Sequence, residues 1–134
     1  MVTFVDSSAL YAFLDVADAN HARAKATMTE LLAAEGDLVT HNYVIVETSA
    51  LIQRRLGAEA VRVLLDDVLP AIRTIWIDEP IHRQATAAMI GSLGRGVSLV
   101  DWTSFSVMRE RGIGRAFAFD ADFETQGFLL VAGR

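Results

Sequence analysis

The chain is predicted to fold as an α/β domain, with a central and mostly parallel sheet that carries helices on both faces. Short β-branched apolar runs alternate along the sequence with longer segments of helical periodicity. The apolar fraction of 52% and the positive mean hydropathy exclude a disordered chain. No apolar run approaches the roughly 20 residues needed to cross a bilayer, so no membrane association is expected. The length of 134 residues suits one domain, residues 1–134, with one core.

The first half of the chain alternates between strands and helices. Val2 to Val5 is a short β-branched run that predicts a strand. Ser7 and Ser8 are good N-caps for a first helix, which fades at Asp15 to Asp18. The second predicted helix is capped by Asn20 and continues through Ala34.

The next unit repeats this order. Leu38 to Thr40 predicts a brief strand, and His41 leads into a helix that carries Glu47 about one turn from its start. Gly57 interrupts the periodicity, and a further helix is predicted from Ala58 to Val68.

Three more strands are predicted in the second half of the chain. Asp78 caps a helix that runs to about Leu93, and Ser98 caps another helix that ends at Gly112. Asp120 to Gly127 is rich in turn residues and is predicted to be a loop. The strands are predicted at Ile72–Ile77, Ala116–Phe119 and Phe128–Val131.

The composition narrows the chemistry that such a domain can perform. No cysteine is present, which excludes disulfides, thiol catalysis and thiolate metal sites, and which suits a cytoplasmic protein. The residues before Asp6 form neither a basic nor a long apolar segment, so no secretory signal is expected. The formal net charge of −5 would ordinarily argue against a nucleic-acid partner.

That acidic excess is small enough to come from one pocket. There are 17 Asp plus Glu and 12 Lys plus Arg, and setting aside the five acids considered below leaves 12 acids. Eleven of the 12 basic residues are Arg, whose guanidinium suits bidentate phosphate contacts. The charge balance therefore leaves a nucleic-acid partner open.

Four acids are predicted to meet at one edge of the sheet. Asp6 and Asp120 follow strands, whereas Glu47 and Asp101 lie in the first turns of helices. In a parallel α/β sheet with right-handed connections, the strands end and the following helices begin at the same edge. Two carboxylates about 4 Å apart repel by roughly 4 kcal/mol at an effective dielectric of 20, so a cation is expected to neutralise the cluster.

The ligand set indicates which cation. An all-oxygen set with no cysteine and no histidine beside the acids suits Mg²⁺ or Mn²⁺. A hard cation held by carboxylates, with positions left for water, can generate hydroxide and stabilise an in-line phosphoryl transfer. The predicted chemistry is therefore hydrolysis of a phosphodiester.

Each acid also has a structural explanation when it is considered alone. Asp6 could cap the first helix, Asp101 could complete a capping box after Ser98, Glu47 could pair with Arg54 or Arg55, and Asp120 and Asp122 could be turn residues. Taken together, four such coincidences on one predicted edge favour a functional site.

Other polar residues are weaker candidates. Ser7, Ser8, Thr103 and Ser104 could hydrogen-bond the acids or a metal-bound water. Arg54, Arg55 and Arg95 could hold phosphates of RNA, although a solvated face is the ordinary role of such residues. The three histidines follow no metal-ligand spacing, and a helix-cap or surface role is predicted for each: His21, His41 and His82. Trp102, Phe105 and Met108 are predicted to be core residues.

Four segments together resemble the PIN domain, and specifically the VapC-type toxins of bacterial VapBC toxin–antitoxin pairs. They are VDSSAL at the amino terminus, VIVETS around Glu47, SLVDWTSFSVM around Asp101 and FAFDADFETQGF near the end. The resemblance covers essentially the whole chain and implies one PIN domain, a three-layer α/β/α fold with a sheet of about five parallel strands. The activity that it implies is that of an endoribonuclease dependent on Mg²⁺ or Mn²⁺.

The resemblance also assigns roles to individual residues. Asp6, Glu47, Asp101 and Asp120 match the acidic quartet of the family and would be catalytic. Ser8 matches a small polar residue two places after the first acid, and Thr103 or Ser104 matches the polar position after the third. The metal ligands would be Asp6, Asp101 and Asp120, with Asp122 at a position that is often acidic, while Glu47 would support the metal or its waters.

The partners implied by the resemblance are an RNA, an antitoxin and a second copy of the chain. VapC-like toxins cut structured RNA, commonly tRNA or a ribosomal RNA loop, and so stop translation. They usually form homodimers, and a VapB-like antitoxin inserts a segment into the acidic crevice. No DNA-binding motif is present in the sequence, so DNA would be reached only through the antitoxin.

Three other interpretations fit part of the sequence. A phosphoacceptor receiver domain would need paired acids after its first strand and a late lysine, but serines follow Asp6 and Lys25 is the single lysine. A haloacid-dehalogenase-like phosphatase would need an aspartate where Ser8 stands. A catalytically idle PIN-like binding module would not need the complete acidic quartet that the sequence retains.

Overall fold

A five-stranded, wholly parallel sheet lies at the centre of the computed structural model, which describes residues 1–132. The strand order is β3-β2-β1-β4-β5, so the first strand is the central one and the connections change direction between β1 and β4. That reversal is the place where α/β sheets of this kind open a ligand crevice. The strands are β1 (Val2–Val5), β2 (Asp37–His41), β3 (Arg73–Ile75), β4 (Arg115–Phe117) and β5 (Leu129–Leu130).

Seven α-helices in the described residues cover both faces of the sheet. Right-handed crossovers put the first four helices on one face and the last three on the other. The chain also forms a π-helical turn at Val63–Val68 and 3₁₀ turns at Leu69–Ala71 and Leu93–Arg95. The helices are α1 (Ser7–Leu14), α2 (His21–Ala33), α3 (Asn42–Leu56), α4 (Ala58–Arg62), α5 (Glu79–Ile90), α6 (Leu99–Arg111) and α7 (Asp122–Thr125).

The core forms where the helices pack on the sheet. Phe4 of β1 and Phe117 of β4 are fully buried on adjacent central strands. Trp102, Phe105 and Met108 of α6 are buried, which confirms the prediction from their helical spacing. None of the helices in residues 1–132 combines the length and apolar character that crossing a membrane requires.

Most of the predicted helix ends are confirmed. The Asp78 side chain accepts a hydrogen bond from Ile81 N at 3.0 Å, and Ser98 Oγ accepts one from Asp101 N at 3.1 Å. Gly112 ends α6 in the left-handed region with φ of 67°, which favours glycine. The prediction that a serine caps α1 is wrong, because Asp6 is the N-cap residue and its carboxylate accepts from Ser8 N.

Several predicted boundaries differ from the structure. The helix predicted from Ala58 to Val68 is an α-helix only to Arg62, because apolar periodicity does not set the hydrogen-bond register that separates α from π. The helix predicted to reach Leu93 ends at Ile90. The loop predicted at Asp120–Gly127 contains α7, and the last three strands are shorter than predicted because each is paired over only two or three residues.

Candidate active site

The four predicted acids line one cavity at the carboxyl edge of the sheet. Asp6 follows β1 and Asp120 follows β4, while Glu47 lies in the second turn of α3 and Asp101 in the first turn of α6. All four are among the residues that surround an open cavity of about 390 Å³. The fold therefore brings together acids that are up to 114 positions apart in the sequence.

The two carboxylate oxygens of Asp6 differ in their hydrogen bonding. Its Oδ2 accepts hydrogen bonds from Ser8 N at 3.1 Å and from Ser8 Oγ at 2.7 Å, and so caps α1. Its Oδ1 is buried and has no hydrogen-bond partner within the described chain. A buried acceptor without a donor costs free energy, which a cation at this position would recover.

Two serines hold the acids in place. Ser8 Oγ donates to Asp6 and accepts a hydrogen bond from Phe119 N at 3.0 Å, so it ties the residues after β4 to α1. Ser7 Oγ donates to Glu47 Oε1 at 2.8 Å. The structure thus places Ser8 beside the acids, as the sequence indicates, and Ser7 takes an equivalent position beside Glu47.

Two acids of the cavity wall, Asp101 and Asp120, form a compact cluster with Asp122, which does not line the cavity itself. Asp101, Asp120 and Asp122 each offer one carboxylate oxygen, and these three oxygens lie within 4.8 Å of one another. Asp120 Oδ1 also accepts from Asp122 N at 2.9 Å, which fixes the turn that precedes α7. A set of carboxylate oxygens at this spacing suits a hard divalent cation.

Burial and mutual repulsion raise the proton affinity of these acids. Burial raises the pKa of Asp6 to about 6, and the charge of Asp120 adds to the effect. Burial, followed by the charges of Asp6 and Asp120, raises the pKa of Asp101 to about 8. Burial and Asp120 also raise the pKa of Asp122. Without a cation, Asp101 therefore retains its proton near neutral pH.

No basic side chain in residues 1–132 forms an ion pair with the site acids. The ion pairs in this part of the chain are Arg62–Glu59, Arg73–Asp37 and Arg83–Glu79, all between exposed side chains. The pairing of Glu47 with Arg54 or Arg55, which the sequence left open, is not formed.

The predicted RNA-binding arginines differ in their distance from the cavity. The Arg55 guanidinium lies over the Tyr11 ring, 5.6 Å from its centroid, and Tyr11 lines the cavity. Arg54 and Arg95 are exposed and do not line it.

Two predicted supporting residues lie away from the cavity. Thr103 Oγ1 donates to the Leu99 carbonyl at 2.8 Å, and Ser104 Oγ donates to the Val100 carbonyl at 3.0 Å. Both side chains are fully buried, and neither lines the cavity. The sequence did not reveal this because a hydroxyl four residues after a helical carbonyl can bond back to it instead of facing a site.

The histidines have structural partners. His21 Nδ1 donates to the Ala12 carbonyl at 2.9 Å, and Tyr43 Oη is bonded to His82 Nδ1 at 2.7 Å. His41 caps α3, as predicted, but it is fully buried and does not lie on the surface.

Sequence reasoning missed part of the cavity wall. Tyr11, Asp18 and Asn20 line the cavity with the four acids. Asn20 occupies the cap position of α2 without making a side-chain cap hydrogen bond. Asparagine is common both at helix caps and in the walls of polar cavities. Its residue type therefore does not show that Asn20 lines the cavity.

Comparisons with known proteins show what this chain is similar to. Residues 3–129 match the family model described as the PIN domain. The chain is 37% identical over 130 residues to the 23S rRNA-specific endonuclease VapC20 of Mycobacterium tuberculosis, with 96% of each protein aligned.

Solved structures agree with this match. A crystal structure of M. tuberculosis VapC20, described as a sarcin–ricin loop cleaving toxin, gives a TM-score of 0.81 at 33% identity and covers 96% of this chain and 97% of that one. FitAcB from Neisseria gonorrhoeae gives a TM-score of 0.70 at 16% identity, with 97% and 96% covered, and supports the fold alone.

Proposed function

The chain belongs to the PIN-domain family, and we propose on this basis that it is an endoribonuclease and the toxin of a VapBC-type toxin–antitoxin pair. The observation that carries the proposal is the arrangement of Asp6, Glu47, Asp101 and Asp120 around one cavity. Such crowding of carboxylates opposes folding. A role in binding a ligand or in a reaction explains why the acids lie together.

The residues present fit a divalent cation. Asp6 Oδ1 is a buried acceptor without a donor among residues 1–132, and Asp101, Asp120 and Asp122 supply a compact set of oxygens. Asp6, Asp101, Asp120 and Asp122 would hold Mg²⁺ or Mn²⁺. When bound, such a cation supplies a Lewis acid that stabilises the charge developing on a phosphodiester during in-line displacement.

The other residues of the site would orient the reactants. Glu47 is fixed by Ser7 at 2.8 Å and faces the same cavity, so its carboxylate is placed to accept a proton from the attacking water. Ser8 holds Asp6 and the backbone of Phe119 in a fixed relation. Arg55, at the cavity edge beside Tyr11, would bind a phosphate next to the cleaved bond.

The proposed substrate is the sarcin–ricin loop of 23S ribosomal RNA. This proposal is supported by the 37% identity over 96% of the chain to a 23S rRNA-specific endonuclease, and by the similarity to a structure described as a sarcin–ricin loop cleaving toxin. The match to the PIN-domain family model, over residues 3–129, spans all four positions of the acid cluster.

The test is RNA cleavage by purified, partner-free protein. Total RNA and intact ribosomes are incubated with the protein and Mn²⁺ or Mg²⁺, with EDTA as the metal-free control, and the cut ends are mapped by primer extension. Cleavage at one site in 23S rRNA is expected, with loss of cleavage in EDTA and in Asp101→Asn. Folded protein that binds Mn²⁺ but cuts other RNA would exclude the proposed substrate.

A catalytically idle binding module is the remaining alternative. It predicts that the same folded protein binds neither Mn²⁺ nor Mg²⁺ and cuts no RNA in any of these reactions. Calorimetric titration with Mn²⁺ distinguishes it from a nuclease whose RNA substrate is absent from the assay.

An antitoxin is proposed to cover the acid cavity. The carboxylates have no basic partner within the described chain, so a VapB-type segment with an arginine would complement their charge. DNA would be contacted only by that partner. Copurification with the product of a neighbouring gene, and loss of RNA cleavage in the complex, are the expected results.

A homodimer is proposed through the apolar face beside Glu47. Val46 is 68% exposed, and with Leu99 and Val100 it borders a second cavity of about 430 Å³ next to the acids. An exposed apolar face of this kind marks an interaction surface. Val46→Asp is expected to give a monomer in sedimentation velocity, whereas Leu32→Asp on α2 should leave the dimer intact.

A further inference from the structure

A buried imidazole links the two helices that carry acids of the cavity. His41 is the last residue of β2, is 0% exposed, and lines neither of the cavities described above. A buried titratable side chain needs partners for its polar atoms, so each ring nitrogen requires an explanation.

Both ring nitrogens have partners on different helices. Nδ1 accepts from Val44 N at 3.3 Å, in the first turn of α3. Nε2 lies 2.8 Å from Ser104 Oγ on α6. Because Nδ1 accepts, it carries no hydrogen, so the hydrogen-bond network assigns the proton to Nε2, which donates to Ser104.

The serine continues the connection to the start of α6. Ser104 Oγ accepts from His41 and donates to the Val100 carbonyl at 3.0 Å. Val100 immediately precedes Asp101. The relay formed by His41, Ser104 and the Val100 carbonyl therefore runs from the first turn of α3 to the residue before a site acid.

The imidazole is also enclosed by aromatic rings. The Phe4 ring on β1 lies 5.6 Å from it, and the Tyr43 ring meets it edge-on at 5.8 Å. Phe4 is two residues before Asp6, and Tyr43 is four residues before Glu47. Burial lowers the pKa of His41 to about 3, so the ring stays neutral and keeps one hydrogen-bond pattern across the working pH range.

We propose that His41 is a positioning residue for the acid cluster, and that its bonds to α3 and α6 hold Asp101, a ligand of the divalent cation, at a fixed spacing from Glu47. The acids repel one another, and no basic side chain in the described chain opposes that repulsion at the site. The rigid connection between the two helices holds the acids at a fixed spacing, which a neighbouring positive charge would otherwise do. The inference rests on the proposed function only in assuming that the cluster binds a metal.

Two substitutions separate the bonds of the ring. In His41→Asn, the shorter amide lies near the position of Nδ1 and can still cap α3, but it does not reach Ser104. In His41→Gln, the amide nitrogen lies near the position of Nε2 and keeps the link to Ser104. Ile52→Val, which removes a buried methyl group from α3 outside the relay, is the matched control for stability.

The measurements are Mn²⁺ affinity by calorimetry, kcat and KM for RNA cleavage, and unfolding in urea. His41→Asn is expected to weaken Mn²⁺ binding by about tenfold or more and to lower kcat more than it raises KM. His41→Gln should recover much of the Mn²⁺ affinity, and Ile52→Val should bind Mn²⁺ as the unaltered protein does.

Clear results would overturn the proposal. Wild-type Mn²⁺ affinity in folded His41→Asn would exclude a positioning role, as would an equal loss of affinity in Ile52→Val. If His41→Asn does not fold, Ser104→Ala replaces it, because this variant keeps the cap of α3 and loses the bond to His41. Its Mn²⁺ affinity is then compared with that of the unaltered protein and of Ile52→Val. If the unaltered protein binds Mn²⁺ but cuts no RNA, the nuclease proposal fails while the Mn²⁺ comparison still decides the role of His41.

Discussion

Carboxylates at the two ends of the central sheet lie in opposite environments. At the amino end, Asp37 begins β2 and pairs with Arg73 of β3 at 2.8 Å, with both side chains well exposed. At the carboxyl end, Asp6 is 2% exposed, has an oxygen without a donor in the described residues, and shares a cavity with four more acids. The first arrangement is an ordinary surface ion pair, whereas the second opposes folding and is explained by a ligand.

Exchanging one carboxylate for an amide at each end tests this contrast most severely. Asp6→Asn should lower RNA cleavage by about 100-fold or more, because it removes a charge from the proposed metal site while its side-chain oxygen can still cap α1. Asp37→Asn, at the other end, should cleave RNA within about twofold of the unaltered protein. Equal activities in single-turnover cleavage assays would contradict the distinction between the two ends.

The pH dependence of stability should also separate the two ends. Because the pKa of Asp101 is raised to about 8, the folded metal-free protein binds more protons than the unfolded chain, and its stability falls as the pH rises through that value. His41, with a lowered pKa, acts in the opposite direction between about 3 and 6.5, so the fall is clearest from pH 6.5 to 8.5.

The expected loss over that range is up to about 2 kcal/mol in the free energy of unfolding. Urea unfolding in EDTA at several pH values measures it. Asp101→Asn should flatten the profile, Asp37→Asn should leave it unchanged, and saturating Mn²⁺ should reverse its slope. A flat profile in the unaltered, metal-free protein would show that burial and the neighbouring acids do not raise the pKa of Asp101.

A smaller effect is expected from the hydroxyl that supports Asp6. Ser8→Ala removes a donor to Asp6 and leaves Phe119 N without its acceptor, so it should cost about 1–2 kcal/mol and lower cleavage by about tenfold. Ser92→Ala removes a hydroxyl that bonds only the Ala88 carbonyl and is the control. Loss of stability without loss of cleavage would restrict Ser8 to a capping role.

The smallest effect is expected at the amino end. Arg73→Ala breaks an exposed ion pair, which is typically worth less than about 1 kcal/mol and is screened by salt. Its unfolding free energy should approach that of the unaltered protein in high salt, and its RNA cleavage should not change. A larger loss of unfolding free energy in Arg73→Ala would show that this ion pair is not an ordinary exposed one.

The residues that were predicted correctly are those whose position follows from local rules. Capping chemistry located the starts of α5 and α6, and the geometry of parallel sheets predicted that Asp6, Glu47, Asp101 and Asp120 would converge. Both inferences use residue type and order along the chain, which a sequence contains.

What was missed depends on contacts between distant side chains. Nothing local distinguishes Ser104, which bonds His41, from Ser8, which bonds a site acid. The burial of His41 likewise follows from Phe4 and Ser104, which contact it from distant parts of the chain, and not from its neighbours in sequence. Apolar periodicity predicts which face of a helix is buried, but it does not predict the hydrogen-bond partner of a buried polar atom.

The central position of β1 has a consequence for the order of events during synthesis. β1 is made first, yet Asp6 N bonds the Phe117 carbonyl, and Asp120 joins the cluster only after nearly the whole chain has been translated. Because the pairing of β1 with β4 spans more than a hundred residues, the sheet closes late. A nascent or prematurely terminated chain lacks the complete cluster, so RNA cleavage is expected only from chains in which all four acids have been assembled.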